Sequence, residues 1–250
     1  MAATKAQKRK LYKNKEKVLT HWNIRHAERN KAKLIRIAEY ELFNFTWIAT
    51  VNAFIEQGKL SNRKKVLDIG FGWGRTILGL KTFLPEIDIT GIELNNNAIE
   101  NAKIVLKNYL GDYSNIKLEV GDAETLQYEE NSFDAVLSTR VFQYLKYPQV
   151  ATDHMYRVLI PKGRAVVMVP NKINIYQFLF YHTHRISPFT LKKWFYNAGF
   201  KKIRTGSIIF FHPGIYLFSS ESPWVKIEKL ITKVPIINML GGITWVSGEK

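Results

Sequence analysis

Three glycines stand two residues apart in VLDIGFGWGRT (residues 66–76), directly after a short apolar run that carries an acid. Glycine offers no side chain for packing and loses more conformational entropy than other residues when it is ordered. Three glycines at this spacing therefore indicate that the backbone must adopt a conformation, or a close approach, that other residues do not allow. Glycines let the main chain approach a ligand closely, and a following helix offers free N–H groups at its first turn. We predict a ligand-binding corner at Gly70, Gly72 and Gly74, with an ordinary tight turn as the alternative interpretation.

Three acidic residues in the apolar runs indicate what this ligand carries. Asp68 lies in the first run, Glu93 ends the second run 19 residues after Gly74, and Asp122 follows the third run. An acid at the position of Glu93 can accept hydrogen bonds from both hydroxyls of a ribose. Asp122 can accept from an adenine amino group, and the next N–H, that of Ala123, can reach a ring nitrogen. The set predicts an adenine nucleoside.

The glycine spacing separates two classes of adenine cofactor. A dinucleotide fingerprint reads G-x-G-x-x-G and places a pyrophosphate on the helix. Here the third glycine, Gly74, comes one position early and is followed by Arg75. Because Asp68 adds to a set of acids that suits a sulfonium and an ammonium better than a pyrophosphate, we expect S-adenosylmethionine.

Between residues 64 and 171, short apolar runs alternate with segments of helical period. The pattern predicts strands at 64–70, 88–94, 116–124, 132–142 and 164–171, and helices at 76–85, 96–110 and 148–159. A helix at 190–200, a strand at 201–211, a helix at 223–235 and a strand at 242–248 follow. Right-handed crossovers place the carboxyl ends of parallel strands at one edge, where ligands bind. We therefore predict an α/β fold with a Rossmann-like, doubly wound, seven-stranded sheet, mostly parallel with an antiparallel final strand, and helices on both faces.

The domain boundaries follow from shifts in composition. We expect a flexible basic tail at residues 1–15, an N-terminal helical lid or cap at 16–58, and the main domain at 59–250 with a substrate-side insertion at about 172–190. A long helix is predicted at 32–57 within the second segment. Four aromatic or histidine residues before this helix are assigned to an N-terminal lid over the cofactor, with packing on the outer face as the alternative: Tyr12, His21, Trp22 and His26.

Composition excludes several classes of chemistry. The chain has no cysteine, which rules out disulfides, cysteine-ligated metals and a cysteine nucleophile. Its start lacks the apolar core of a secretory signal, and no apolar run is long enough to span a membrane, so we expect a cytoplasmic protein. A mitochondrial or plastid address is the alternative, because this start is basic.

The net charge of +16 is concentrated at the two ends of the chain. Residues 1–65 hold sixteen Lys and Arg against five acids, and residues 190–250 hold nine against three. One interpretation is a solvated helix surface and a frayed tail. The other is contact with an anionic partner, which would be an anionic small molecule, RNA or a lipid surface.

Together these motifs resemble the class I S-adenosylmethionine-dependent methyltransferases of the small-molecule branch. VLDIGFGWG is similar to the first family motif, GIELN to the second and VGDAETLQYEENSFDAVLS to the third. MYRVLIPKGRAVVMVPN and HRISPFTLKKWFYNAGF are similar to the block before the fifth strand and to the late helix. The resemblance covers about residues 60–205. It implies the fold, methyl transfer, S-adenosylmethionine as donor with S-adenosylhomocysteine as product, and no metal.

The resemblance also implies which residues hold the cofactor. Glu93 has the ribose position and Asp122 the adenine position. The implied set is Asp68, Gly70, Gly72, Gly74, Glu93, Leu94, Asp122, Ala123 and Thr139.

Two departures from the family narrow the substrate. The segment STRVFQYL has no histidine near Gln143 or Tyr144, where many relatives have one, and an Asn/Asp-Pro-Pro-Tyr tetrapeptide is absent. The second absence counts against methylation of exocyclic amines of nucleobases or of glutamine side chains. The lack of cysteine excludes the cysteine-dependent methylation of base carbons.

Methyl transfer needs a nucleophile held in line with the C–S bond, and a base only where the nucleophile must lose its proton early. His184, and less favoured His182, are candidates for a base or orienter; Arg140 for holding an anionic group; and Tyr144 for a hydrogen bond to substrate. Each has a structural alternative, which is packing for His184 and Tyr144 and an ion pair for Arg140. We assign His154 a structural role.

Three functions remain open at this point. The first is methylation of an oxygen or nitrogen of a small molecule, with a variant in which IIFF (208–211) and PWVKIEKLITKVP (223–235) contact a membrane that presents a lipid-like substrate. The second is RNA methylation, suggested by the basic ends with interleaved aromatics. The third is a silent binding or assembly subunit, which the intact set of Asp68, Glu93 and Asp122 disfavours.

Overall fold

A computed structural model describes residues 34–35, 45–174, 185–210, 227, 230–231, 234 and 237–250. Five helices lie in these ranges: α1 (Phe45–Gly58), α2 (Arg75–Phe83), α3 (Asn96–Leu110), α4 (Pro148–Val158) and α5 (Pro188–Asn197). The strands are β1 (Lys65–Ile69), β2 (Asp88–Glu93), β3 (Ile116–Val120), β4 (Phe133–Thr139), β5 (Leu159–Pro170), β6 (Lys201–Ile208) and β7 (Ile243–Glu249). Short 3₁₀ helices cover Ala123–Thr125, Phe142–Tyr144 and Ile237–Met239.

The seven strands form one sheet in the order β3-β2-β1-β4-β5-β7-β6. Strands β1 to β5 pair in parallel, and β7 is antiparallel to both of its neighbours. This confirms the predicted mostly parallel sheet with an antiparallel final strand. The final strand is inserted between β5 and β6, so every one of its residues is buried and β6 is outermost.

Successive side chains of each strand point to opposite faces of the sheet, and each face has its own hydrophobic core. Val66 packs with α1, α2 and α3 on one face of the sheet, whereas Leu67 and Ile69 pack with α4 and α5 on the other. The predicted helices on both faces are confirmed. The carboxyl ends of β1 to β5 therefore meet at one edge, which we call the carboxyl edge.

Helix α1 is packed tightly against α2. A Cβ at Gly79 would lie 2.4 Å from Val51 Cγ2 and 2.8 Å from the Trp47 ring, so only glycine fits there. Trp47 Nε1 donates to the carbonyl of Arg75 at 3.0 Å, at the first turn of α2. The indole thus holds the end of the glycine turn that precedes α2.

The described part of the N-terminal segment belongs to the core. Val51 and Phe54 are fully buried, and Arg164 Nε donates to the Gln57 carbonyl at 2.8 Å. The predicted helix at 32–57 agrees with α1 at its end. The basic tail and the four residues assigned to a lid lie outside the described residues.

Strand β5 begins earlier than predicted. The sequence indicates a turn at 161–163 and a strand from 164, but the chain passes from α4 into β5 at Leu159. Leu159 pairs with Phe133, and the register shifts before Arg164 pairs with Ala135. Lys162, with a φ of +68°, lies in this irregular part of the strand. The turn residues form an irregularity within β5 because the flanking residues still pair with β4.

The described ends of the predicted insertion at 172–190 lie side by side. Asn171 forms a parallel bridge with Ile186, and the N–H of Lys172 donates to the Ile186 carbonyl at 3.2 Å. Of the predicted helix at 223–235, residues 227, 230, 231 and 234 are described; the first three are helical, whereas 234 lies in a bend, so the helix does not extend to 235 as predicted. Among the described helices none is long and apolar enough to cross a membrane.

The contact between α1 and α2 can be tested by overpacking it. We expect Gly79→Val to lower the free energy of unfolding by about 2 kcal/mol, because the new methyls must displace Val51 and Trp47. Thr82→Val, at an exposed position of the same helix, is the control. Urea denaturation measures both, and equal midpoints for Gly79→Val and the parent would contradict the packing.

Candidate functional site

The glycine turn joins β1 to α2 at the carboxyl edge. Gly70, Gly72 and Gly74 have φ angles of +74°, +57° and +88°, in the left-handed region that L side chains rarely adopt. A Cβ at Gly70 would also lie 2.1 Å from Val141 Cγ2, so that position lacks room for a side chain. The spacing of the three glycines is explained by the path of the backbone.

Gly72 differs from Gly70 and Gly74 in the space around it. Apart from its two chain neighbours, no atom of the described residues lies within 4 Å of the point where its Cβ would be. Its N–H donates to Glu93 Oε2 at 3.0 Å, and the N–H of Asn95 donates to Glu93 Oε1 at 3.1 Å. The turn and the end of β2 are therefore joined through one carboxylate, beside a surface that the backbone leaves free for a ligand.

Glu93 is held as an acceptor at this junction. Burial raises the pKa of Glu93, and the hydrogen bonds from the N–H groups of Gly72, Asn95 and Leu94 act against that rise. Each carboxylate oxygen has two lone pairs, so both can accept a further hydrogen bond. The position suits a ligand with two neighbouring hydroxyls.

Asp68 lies on β1 between Gly91 of β2 and Leu137 of β4. It is fully buried, and neither of its carboxylate oxygens has a hydrogen-bond partner within the described chain. Burial, together with the negative charge of Glu93, raises the pKa of Asp68 to about 7. A buried carboxylate without a partner is costly, so a cation arriving nearby would stabilise it.

Asp122 and Ala123 lie at the carboxyl end of β3. The Asp122 carboxylate accepts from the N–H of Glu124 at 3.0 Å and caps the short 3₁₀ helix Ala123–Thr125. Among the described residues no acceptor is bonded to the N–H of Ala123. A planar ring could donate from an amino group to the Asp122 carboxylate and accept the N–H of Ala123 at a ring nitrogen.

A cleft of about 460 Å³ opens beside these residues. Its walls include Ile92, Leu94, Gly121, Asp122, Leu126 and Tyr128. Two residues of the predicted cofactor-binding set, Leu94 and Asp122, line this cleft. The glycine turn and Glu93 lie outside its walls, on the side towards β1.

Arg157 of α4 supports the loop behind the cleft. Its Nη1 and Nη2 donate to the carbonyls of Tyr128 and Leu126 at 2.6 and 2.7 Å. The guanidinium thus fixes the chain that leaves the 3₁₀ helix. Sequence reasoning gave Arg157 no role of its own, although the residue lies in the MYRVL block that carries part of the family resemblance.

The end of β4 carries three predicted residues. Thr139 is half-buried, and Arg140 is exposed with a φ of +58°, its N–H donating to the Met168 carbonyl at 2.8 Å. No carboxylate in the described ranges forms an ion pair with Arg140. The alternative role for this residue, a structural ion pair, therefore has no support in those ranges. Tyr144 is half-buried in the 3₁₀ helix that follows.

Gln143 is a residue of interest that sequence reasoning did not propose. It is 7% exposed, its Nε2 donates to the Arg140 carbonyl at 2.8 Å, and its Oε1 has no partner in the described part of the chain. The sequence does contain a signal for it, because the lack of a histidine near Gln143 is one of the two departures from the family pattern. Gln143 holds Arg140 and offers one buried acceptor at the end of β4.

The other candidates are placed as follows. His184 and His182 lie outside the described residues, and His154 is half-buried on α4. Phe71 packs in the core against Gly91, where a Cβ would lie 2.6 Å from the ring, and Trp73 packs against the same core. No cluster of three side chains suited to a metal ion occurs in the described ranges.

The chain matches a known family in sequence. Residues 67–167 match the family described as a methyltransferase domain. A demethylmenaquinone methyltransferase of Thermotoga maritima is 28% identical over 195 residues, which is 74% of this chain and 80% of that protein. A ribosomal RNA small subunit methyltransferase G of Mesoplasma florum is 30% identical over 155 residues, 62% of each chain.

Solved structures share the fold. Phosphoethanolamine N-methyltransferase 2 of Haemonchus contortus, in complex with phosphomonomethylethanolamine and S-adenosylhomocysteine, superposes with a TM-score of 0.63 at 18% identity. The match covers 88% of this chain and 57% of that one, so the present chain spans less than two thirds of the longer protein.

The raised pKa of Asp68 makes stability depend on pH. Between its ordinary value and about 7, the folded chain keeps a proton that the unfolded chain has released, so the free energy of unfolding falls as pH rises. We expect Asp68→Asn to remove about 2 kcal/mol of the fall between about pH 5 and about pH 8, and to be more stable than the parent at the higher pH.

Urea denaturation of the ligand-free protein at the two pH values measures this effect. Asp88→Asn is the matched control, since Asp88 is exposed at the start of the neighbouring strand. A pH dependence that is the same in Asp68→Asn and the parent would show that Asp68 titrates normally.

Proposed function

We propose that this chain is a class I S-adenosylmethionine-dependent methyltransferase, which transfers a methyl group from that cofactor to an oxygen or nitrogen atom of a small molecule. The observation that carries the proposal is a pair of carboxylates, the buried Asp68 and the half-buried Glu93, beside a left-handed glycine turn in which Gly72 has no described side chain over it. A dinucleotide would bring a pyrophosphate to this negative site, where it would be repelled.

The chemistry of the donor set fits S-adenosylmethionine. Glu93 would accept from the ribose hydroxyls, and Asp122 with the N–H of Ala123 would pair with the adenine. Asp68 would face the positively charged part of the molecule, and Gly72 would let the backbone approach it. When bound, the cofactor supplies a methyl group made electrophilic by its sulfonium.

Asp68 serves this function through its protonation. In the free protein its carboxyl group is poised near neutral pH, because burial and Glu93 disfavour its charge. A cation beside it favours the ionised form and lowers its pKa. The negative charge then appears where the positive ligand binds, so the electrostatic cost that the free fold carries is offset in the complex.

The end of β4 would position the acceptor. Arg140 is exposed and could hold an anionic group. The Oε1 of Gln143, which has no partner among the described residues, could accept from an N–H or O–H, and Tyr144 follows in the chain. Transfer then depends on alignment and on exclusion of water. We retain His184 as the candidate base or orienter.

Two comparisons support a small acceptor. The Thermotoga relative bears the name of a quinone methyltransferase, and the Haemonchus structure holds a phosphorylated amine. The Mesoplasma relative is named for ribosomal RNA, so RNA is the alternative to be tested. A cytoplasmic location remains a prediction of the sequence.

The cofactor site can be tested without knowing the acceptor. We expect Glu93→Gln to weaken binding of S-adenosylmethionine tenfold or more, about 1.4 kcal/mol, because the ribose position loses its charge. Asp122→Asn should weaken binding to a similar extent while its amide oxygen still caps the 3₁₀ helix. Calorimetry measures both affinities, and circular dichroism checks the fold.

Glu86→Gln is the control, since that carboxylate is exposed and lies before β2, at the edge of the sheet opposite the glycine turn. Unchanged affinity in both Glu93→Gln and Asp122→Asn, with the fold intact, would refute the assignment of the site.

The class of acceptor can be found by labelling. We expect the full chain, given cofactor with a radioactive methyl group and a fractionated cell extract, to label the small-molecule fraction or the lipid fraction. Asp68→Asn is the control for background transfer. Label confined to the RNA fraction would replace the small-molecule proposal with the RNA alternative.

A further inference from the structure

The second half of the chain is strongly one-sided in charge. Between Asp153 and Glu221 there are ten Lys and Arg and no Asp or Glu. This stretch holds β5, α5 and β6. Three of its lysines, Lys172, Lys192 and Lys193, are exposed on the segments that follow the end of β5.

Apolar side chains are exposed in the same region. Seven of them form a set that we call the apolar rim: Ile173 (36% exposed), Phe189 (64%), Ile227 (39%), Leu230 (64%), Val234 (45%), Ile237 (40%) and Leu240 (45%). Single exposed apolar residues are common on soluble domains, but a contiguous group marks a site of interaction.

Hydrogen bonds place much of the rim at the carboxyl edge. Asn171, directly after β5, donates from Nδ2 to the carbonyls of Met239 and Gly241, both at 2.8 Å. Asn174 Nδ2 donates to the Leu240 carbonyl at 2.6 Å. Residues 237–241 therefore lie against the chain that leaves β5.

The exposure at 237–240 is set by the fold. The N–H of Ser207 donates to Asn238 Oδ1 at 3.0 Å, which attaches this segment to β6. Asn238 and Met239 are half-buried, whereas Ile237 and Leu240 on either side of them are exposed. The polar side chain anchors the segment and the apolar ones remain exposed, which is the reverse of an ordinary surface turn.

Three further members adjoin this segment. Ile227 and Leu230 are helical and three residues apart, the spacing that places side chains on one side of a helix. Val234 lies in a bend, and its carbonyl accepts from the N–H of Asn238 at 2.8 Å. An apolar helix face normally packs against a core, but these three side chains are exposed. In the sequence, three lysines and one glutamate are interleaved with them between residues 223 and 235.

We propose that the apolar rim docks on an anionic bilayer surface, and that the methyl acceptor is an amphiphile presented there. Aliphatic side chains enter the boundary between headgroups and acyl chains, and lysines around them attract anionic lipid. Docking would bring the carboxyl edge to the membrane. The identity of the acceptor rests on the proposed function, whereas the docking surface does not.

The composition of the rim favours a membrane over the other occupants. Six of its seven residues are aliphatic, and binding of single-stranded RNA depends on aromatic stacking. In a dimer formed through the rim, two basic faces would meet and repel each other. A bilayer with anionic lipid is the partner that satisfies both the apolar surface and the charge.

Vesicle flotation with the full chain tests the docking. The vesicles contain phosphatidylcholine and phosphatidylglycerol in a three-to-one ratio, with pure phosphatidylcholine as comparison. We expect binding to the anionic vesicles that weakens with salt. Leu240→Asp should lower the bound fraction about threefold, and Leu230→Asp with Leu240→Asp about tenfold.

Phe83→Asp is the matched control, because Phe83 is 46% exposed at the end of α2, away from the carboxyl edge. Absence of binding to either kind of vesicle, or an equal loss in Phe83→Asp, would overturn the proposal. Light scattering that shows a dimer dissociated by the rim variants would assign the rim to a second copy instead. RNA retention on filters that the same variants abolish would assign it to RNA.

Calorimetry of the double variant separates this inference from the proposed function. We expect its affinity for S-adenosylmethionine to equal that of the parent, since no rim residue belongs to the cofactor set. If the parent binds vesicles but not the cofactor, the proposed function fails and the docking surface stands. If the parent binds the cofactor but no vesicle, the reverse holds.

Discussion

Two carboxylates lie at the ends of adjacent strands, Asp68 fully buried and Glu93 half-buried, and no basic side chain in the described chain pairs with either. The parallel register of β1 and β2 brings them together, and the glycine turn adds an N–H donor to Glu93 but none to Asp68. The free fold therefore carries an electrostatic cost that a cationic nucleoside would offset. The glycine turn and the acceptor and donor groups after β3 all border this pair.

The two edges of the sheet differ in how their charged groups are paired. At the amino edge, Glu249 binds Arg164 at 3.3 Å and Lys202 by a hydrogen bond, and Lys202 lowers the pKa of Glu249. These charged groups are paired with one another. At the carboxyl edge, the Asp68 carboxylate and the Oε1 of Gln143 lack partners within the described chain. An unpaired buried carboxylate thus lies at the edge where crossover geometry places ligands.

Local signals predicted much of this arrangement, because strand and helix periods and the glycine spacing depend on near neighbours. They could not show that Asp68 is fully buried, that Arg157 supports the loop at Leu126, or that β7 is inserted inside the sheet. Each of these depends on contacts between residues far apart in the chain. Gln143 was missed for the same reason, since its burial and its bond to the Arg140 carbonyl follow from how the chain turns after β4.

We propose that Asp68 is a carboxyl group without a partner in the free protein and that a cationic cofactor ionises it. Its protonation can be followed directly by the ¹³C chemical shift of its carboxyl carbon, titrated in the free protein and with S-adenosylmethionine. We expect a midpoint at about 7 in the free protein and a lower midpoint in the complex. A midpoint near the ordinary aspartate value of 3.8 in the free protein, or a rise on binding, would contradict it.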